Sequence, residues 1–270
     1  MVRDNWLKSL GLDSDGSLFV EIDTGIRLYD LCVDHPVQGV VPIRPEDLMK
    51  AENRQLYFRF LTTLNEISSI LFGSAYDEGH EFNEGDVVVD AGARIGTFTA
   101  RASRAVGCAG RVIAIEPEPR SYALLCKNIQ ANQLNNVTPI QKVLWSAAQP
   151  LEFYLSGNAA AHSAYCDGFY GSTGETIVSE AVTLDGILEE LGIGRVDFVK
   201  MDIEGSEIEA LKGMSRILSS GVELSIAAYH PVNGILTHSV LIPQLERLGF
   251  NPAFREGIIR CRTSATRVNV

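Results

Sequence analysis

The sequence is short of several things, and each shortage argues against a class of protein. No window approaches the ~18 consecutive apolar residues of a membrane-spanning helix. The opening residues, "MVRDNWLKSLGLDSDGS", lack the apolar stretch of a signal peptide. Cysteine is sparse: Cys32, Cys108, Cys126, Cys166 and Cys261 are odd in number, widely spread and form no CxxC pair. That argues against a zinc knuckle and against a disulfide framework. Dense Lys/Arg runs are missing, and 23 basic residues face 34 acidic ones, for a formal net charge of -11. A field of that sign opposes binding to nucleic acid or anionic membrane. The expectation is a cytoplasmic protein with no nucleic-acid partner and no membrane span.

What is present is an ordinary globular balance. Apolar residues make up 46% and charged residues 21% of 270 positions. This length suits one large domain, or a domain with an extension, and can bury a substantial core. Two regions read differently. In residues 1–80, "SLFVEIDTGIRLYDL" alternates around Asp23-Thr24-Gly25 and predicts a β-hairpin. "PEDLMKAENRQLYFRFLTTLNEISSILFG" has helical spacing and stops at Gly73. We read 1–80 as an N-terminal cap and 81–270 as the main domain.

From Gly85 onward, strands and helices alternate. "DVVVDAG", "GRVIAIEP", "NVTPIQKVLW", "VDFVKMDIEGS" and "VELSIAAYHP" predict five strands, the third at an edge because of Pro139. Helical patterns lie between them, one with Thr183 as its N-cap. Such alternation predicts an α/β fold, a mostly parallel sheet with helices on both faces. Ligands of these sheets sit outside the carboxyl ends of the strands. That rule selects Asp90, Glu116, the end of "KMDIEG" and His230. The stretch "SGNAAAHSAYCDGFYGSTGE", residues 156–175, is a candidate lid.

The first turn carries the main chemical signal. A dinucleotide fingerprint is G-x-G-x-x-G, but here the spacing is Gly92-x-x-x-Gly96, with Arg94 at the middle glycine's place. Asp90 ends the strand. A carboxylate there repels pyrophosphate and suits a cationic ammonium, which S-adenosylmethionine (SAM) carries beside its sulfonium. Glu116, at the end of the second strand, is placed to accept both ribose hydroxyls. Further along, Lys200, Asp202 and Glu204 alternate, which on a strand points all three to one side. They read either as a self-neutralising cluster with a helix cap or as part of a site. The two carboxylates suit Mg²⁺, although the sequence names no third ligand. His230, at the fifth strand end, is a candidate base for a substrate hydroxyl.

These motifs resemble the FkbM-type SAM-dependent methyltransferases. The family pattern D-x-G-A-N-x-G corresponds to Asp90-Ala-Gly-Ala-Arg-Ile-Gly96, and its E-P to Glu116-Pro117. Its L-D matches Leu184-Asp185, and its K-x-D-x-E-G-x-E matches Lys200-Met-Asp-Ile-Glu-Gly-Ser-Glu207. The likeness runs from about Tyr76 to Phe250. It implies a Rossmann-like class I methyltransferase fold, a seven-stranded sheet with one antiparallel strand. It also implies methyl transfer, commonly to oxygen, on a small molecule, glycan or secondary metabolite. On this basis Asp90, Gly92, Ala93, Gly96 and Thr97, with Glu78, are expected around the methionine part of SAM. Glu116 and Pro117 are expected at the ribose, and Leu144 and Ser146 at the adenine. Asp202, Glu204, His230 and Lys200 are expected near the transferred methyl. The chain departs from the pattern twice. Arg94 replaces the usual asparagine, and Ala228 replaces an acid two residues before the histidine. These departures motivate one rival, a non-catalytic SAM-binding or regulatory protein with a degenerate site. A NAD-dependent dehydrogenase is the other.

Overall fold

The computed structural model describes residues 6–30, 41–50, 53–155, 162–165 and 175–263. The N-terminal strands are β1 (Leu7–Leu12), β2 (Leu18–Ile22), β3 (Arg27–Asp30) and β4 (Val41–Pro42). They form an antiparallel sheet in the order β3-β2-β1-β4. The β2–β3 hairpin turns at Asp23-Thr24-Gly25, where Gly25 takes a φ of 82°. Two helices follow, α1 (Pro45–Leu48) and α2 (Arg54–Phe72), the second ending at Gly73.

The main domain begins with β5 (Val87–Ala91), α3 (Thr97–Val106), β6 (Arg111–Ile115), α4 (Pro119–Ala131) and β7 (Val137–Ile140). The predicted third strand does not run on to Trp145. It breaks after Ile140, and β8 (Val143–Leu144) joins a separate small sheet with β9 (Gln149–Tyr154) and β10 (Thr176–Val182). The chain continues through α5 (Leu184–Glu190), β11 (Phe198–Met201), α6 (Glu207–Lys212), α7 (Ser215–Leu218) and β12 (Glu223–Ala227). It closes with the short strands β13 (Pro231–Val232) and β14 (Ile235–Leu236), then α8 (His238–Arg247), β15 (Ala253–Arg255) and β16 (Ile258–Arg262). Thr183 caps α5 as expected, its hydroxyl accepting from the Gly186 N–H at 3.0 Å. Asp185 caps α7 by accepting from the N–H groups of Arg216 and Ile217, so the Leu-Asp pair is architectural.

The central sheet has seven strands in the order β15-β16-β12-β11-β5-β6-β7. The four pairs from β12 to β7 are parallel, and β16 runs antiparallel to both β12 and β15. Strand β7, with Pro139, lies at the edge, where its missing N–H does no harm. Period-two alternation puts helices on both faces. Val89, Ala91, Val199 and Met201 pack against Leu188, Leu211 and Leu241 of α5, α6 and α8. Val88, Val112 and Phe198 pack the other way, on Phe98, Ala102 and Val106 of α3.

The N-terminal sheet shares a core with the outer sides of α3 and α4. Leu18, Val20 and Leu28 cluster with Ile67 of α2, Ala100 of α3 and Leu124 of α4. The joint also has a polar seam. Strand β3 lies at a sheet edge, and Asn128 of α4 and Asn132 at its C-cap, four residues apart, cover it. Asn128 accepts from the Tyr29 N–H at 2.7 Å and donates to the Tyr29 carbonyl at 3.0 Å. Asn132 does the same for Arg27. Side-chain amides thus stand in for a neighbouring strand.

Candidate active site

The first turn is built for close approach. Gly92 has a φ of 77°, and a Cβ there would lie 1.8 Å from the Asp202 carbonyl oxygen. Only glycine lets the β5 turn pass the end of β11 so tightly. Gly96 has a φ of 89° and packs on Leu125, where a Cβ would come within 2.7 Å of a methyl. The turn's N–H groups are directed inward. Gly92 and Ala93 both donate to the Ile115 carbonyl, Arg94 donates to Glu116 Oε2 at 2.8 Å, and Gly96 donates to Ala93. These four N–H groups are therefore not available to cradle a phosphate, unlike those of a dinucleotide-binding turn.

Asp90 lies beneath this turn rather than on a cavity wall, with an exposure of 0%. One carboxylate oxygen accepts from the Thr99 hydroxyl at 2.6 Å, and the other stands 3.1 Å from Lys200 Nζ. Asp90 and Lys200 are register partners on β5 and β11, which brings the charges together. Lys200 also donates to the carbonyls of Gly92 and Ala91. Burial opposes its ammonium, and the charges of Asp90, Asp202 and Glu116 outweigh that, raising its pKa.

A cavity of about 310 Å³ opens at the carboxyl edge of the sheet. Its walls include Gly92, Ala93, Arg94, Thr97, Glu116, Pro117, Leu144, Lys200, Asp202 and Glu204. Glu116 Oε1 accepts from the Glu118 N–H at 3.0 Å. Burial nevertheless pushes this carboxyl up to about 7, since two N–H donors only partly replace water. Arg94 adopts a φ of 51°. That left-handed conformation suits asparagine better than arginine, which rationalises the family's usual residue. The Arg94 guanidinium turns to the N-terminal region, 2.8 Å from Glu66 Oε1 and 3.6 Å from Asp30. Glu66 also accepts from Thr97 at 2.6 Å, so α2 supplies part of the cavity wall.

The acidic end departs from simple strand alternation. Strand β11 ends at Met201, and Asp202 and Glu204 lie in the turn beyond it. Glu204 sits at a φ of 54°, and like Arg94 it is a non-glycine cavity residue in the left-handed region. Such strain is typical of positions whose side-chain direction matters. Tyr76 donates to Asp202 Oδ2 at 2.7 Å. His230 lies behind the wall, 1% exposed, with Nε2 3.5 Å from both Asp202 Oδ1 and Glu204 Oε2. Its Nδ1 stands 3.0 Å from Glu207 Oε1. Glu207, on α6, thus supplies the orienting carboxylate that position 228 lacks. Burial opposes a charged imidazole, yet Glu207, Asp202 and Glu204 outweigh it and raise His230 to about 9. Burial pushes Glu204 up to about 7, partly offset by His230.

Besides Asp90 and His230, three expected residues stand apart from the wall. Glu78 forms a 3.2 Å ion pair with Arg260, and its side chain is 55% exposed. Ser146 hydrogen-bonds Glu209 on α6. Gly96 shapes the turn from behind. Sequence reasoning missed Glu66, Tyr76, Lys142, Phe153 and His162, all on the wall. Tyr76 and Glu66 precede β5, where no spacing links them to the motifs. Of the candidate lid, residues 162–165 are described, and Ser163 donates to the Glu204 carbonyl at 2.6 Å. The rest of 156–175 up to residue 174 lies outside the described residues. Among the described residues, no helix is long and apolar enough to cross a membrane.

The family model for the methyltransferase FkbM domain matches residues 90–251. The chain belongs to the FkbM methyltransferase domain family. Among curated relatives, methyltransferase sdnD of Sordaria araneosa is 31% identical over 155 residues, covering 47% of this chain and 60% of its own. Hexuronic acid methyltransferase AglP of Haloferax volcanii is 28% identical over 182 residues, covering 64% of this chain and 71% of its own. A solved FkbM methyltransferase from Methylobacillus flagellatus is 22% identical, covering 66% of this chain and 43% of that one, with a TM-score of 0.47. The chain thus spans less than two thirds of the length of sdnD and of the M. flagellatus protein.

Proposed function

We propose that the chain transfers a methyl group from SAM to a hydroxyl oxygen of a small molecule or sugar. The observation that carries this reading is the cavity between the β5 turn and the acidic β11 end. Its nucleotide side offers Glu116 for the ribose and no free run of turn N–H groups for a pyrophosphate. Its far side offers Asp202 and Glu204 for a hydroxyl. The likeness to AglP, a hexuronic acid methyltransferase, supports a sugar-like acceptor.

In this reading Gly92, Ala93, Thr97 and Glu66 flank the methionine part. Glu116 and Pro117 meet the ribose, and Leu144, Val143 and Phe153 supply an apolar wall for the adenine. Asp90 acts through Lys200, which ties β11 to the turn; both are positioning residues. The sulfonium already activates the methyl, so the protein aligns the oxygen and removes one proton. Glu204, on the wall and raised to about 7, is better matched to that proton than His230, which is buried and holds its own proton up to about 9. Residues 1–80 act as a cap, since Glu66 and Ser69 of α2 reach the wall.

Calorimetry with SAM, S-adenosylhomocysteine and NAD tests the cofactor. Tighter binding of NAD than of SAM would sink the reading. Labelled SAM with a panel of hydroxylated acceptors tests turnover. A chain that binds SAM but labels no acceptor, with Asp202→Ala unchanged from wild type, would instead favour a non-catalytic role.

A further inference from the structure

We propose that Asp202, Glu204 and His230 form a binding site for one divalent metal ion at the acceptor end of the cavity. Each offers a ligand atom, and the three atoms lie within 4.8 Å of one another. His230 Nε2 is 3.5 Å from each carboxylate. Ligands held ~2.0–2.2 Å from one ion are themselves ~3–3.5 Å apart, which the two histidine–carboxylate distances already match. Hydrogen bonding alone leaves this arrangement unexplained. His230 Nε2 and Asp202 Oδ1 are both buried and have no hydrogen-bond partner. Buried polar atoms are rarely left so, and an ion between them satisfies both.

The surroundings orient each ligand. Tyr76 occupies Asp202 Oδ2 and leaves Oδ1 to the cluster. Glu207 faces His230 Nδ1, so Nε2 points inward and offers its lone pair once the ion displaces its proton, the carboxylate–histidine–metal pattern. The Ile203 N–H holds that same Glu207 oxygen at 3.0 Å. Lys200 does not fill the place, because Asp90 and two carbonyls engage its ammonium. Three carboxylates around one imidazole leave net negative charge, which a dication neutralises.

One imidazole with two carboxylates suits a first-row divalent ion of borderline hardness, and Mn²⁺ is the practical probe. Asp202 and Glu204 line the cavity, so the remaining coordination positions face the acceptor. Two adjacent oxygens, from vicinal hydroxyls or a hydroxy acid, would bind there, and the ion would lower the proton affinity of the attacking one. This use rests on the methyl-transfer reading; the ion site itself does not.

The test is a Mn²⁺ titration of the full chain followed by electron paramagnetic resonance, with S-adenosylhomocysteine binding measured on the same samples. One saturable equivalent is expected in the wild type. His230→Ala should weaken it by at least ~10-fold, and Glu207→Gln by ~10–100-fold, with S-adenosylhomocysteine affinity kept in both. Absence of saturable Mn²⁺, Zn²⁺ and Mg²⁺ binding in a wild type that binds S-adenosylhomocysteine would overturn the ion site alone. Unchanged Mn²⁺ binding in His230→Ala would overturn it too. Failure to bind S-adenosylhomocysteine, with Mn²⁺ still bound, would sink the methyl-transfer reading and leave the ion site standing.

Discussion

The joint between the N-terminal sheet and α4 and the carboxyl edge of the central sheet treat buried polar groups in opposite ways. At the joint, Asn128 and Asn132 pair the N–H and carbonyl of Tyr29 and Arg27. Glu21 is likewise engaged by Lys8, Arg27 and Ser9. At the carboxyl edge, Asp202 Oδ1, Glu207 Oε2 and His230 Nε2 are buried without hydrogen-bond partners. Two cavity residues there also hold left-handed backbones. Paired polar groups mark architecture, whereas unpaired ones and strain mark places where a ligand is expected to complete the set.

Mutations can break that contrast. The largest stability effect is expected at Asp90, which belongs to the paired class although it lies in the motif. Asp90→Ala strands the buried Lys200 ammonium and should cost about 3–5 kcal/mol, read by urea unfolding. Loss of SAM affinity without loss of stability would show instead that Asp90 touches the ligand. Glu204→Gln belongs to the other class. It should leave the fold near wild type and lower kcat by roughly 10²–10⁴-fold. Without a bound divalent ion, the wild-type rate should climb as pH rises through about 7, where Glu204 loses its proton, and the variant should lack that limb.

Smaller effects sharpen the comparison. Asn128→Ala leaves the Tyr29 peptide groups unpaired and should cost about 1–3 kcal/mol for each buried group that water does not reach. A thermal-unfolding series checks this, with cofactor affinity as the unaffected control. The unligated carboxyl edge should also favour acid. Glu116 and Glu204 are raised from 4.5 to about 7, and His230 from 6.5 to about 9, so all three bind protons more tightly when folded. Their contribution is fully present below the lower value of each pair and is lost as pH rises through the upper one. Melting temperature should fall across that window, and S-adenosylhomocysteine should flatten the part due to Glu116. The smallest effect is expected from Glu66→Gln, which weakens its contacts with Arg94 and Thr97. Cofactor affinity should drop by about 0.5–1.5 kcal/mol, measured by calorimetry.

Much of this molecule was legible along the chain. The alternation of apolar strands with helical patterns specified the parallel sheet. Pro139 specified its edge, and the acid-glycine-acid spacing of Asp90, Gly92 and Glu116 pointed to the sheet edge where the cavity opens. These are local signals, because backbone geometry converts a period of two or a missing Cβ directly into a shape. The hairpin of β9 and β10 was not legible. Its strands flank a small-residue stretch, and neither carries a clean alternation.

Only the tertiary structure could decide the partners. Strand register set Asp90 against Lys200 in a buried ion pair. The turn after β11 placed Asp202 and Glu204 in front of His230, and α6 brought Glu207 to the ring in place of the acid missing at Ala228. Helix α2 brought Glu66 to Arg94, which answers why a cation is tolerated at that turn. Sequence alone determined the parallel sheet and the edge at which the cavity opens. Charge pairing depends on distances between residues far apart in the chain, and those exist only once the chain is packed.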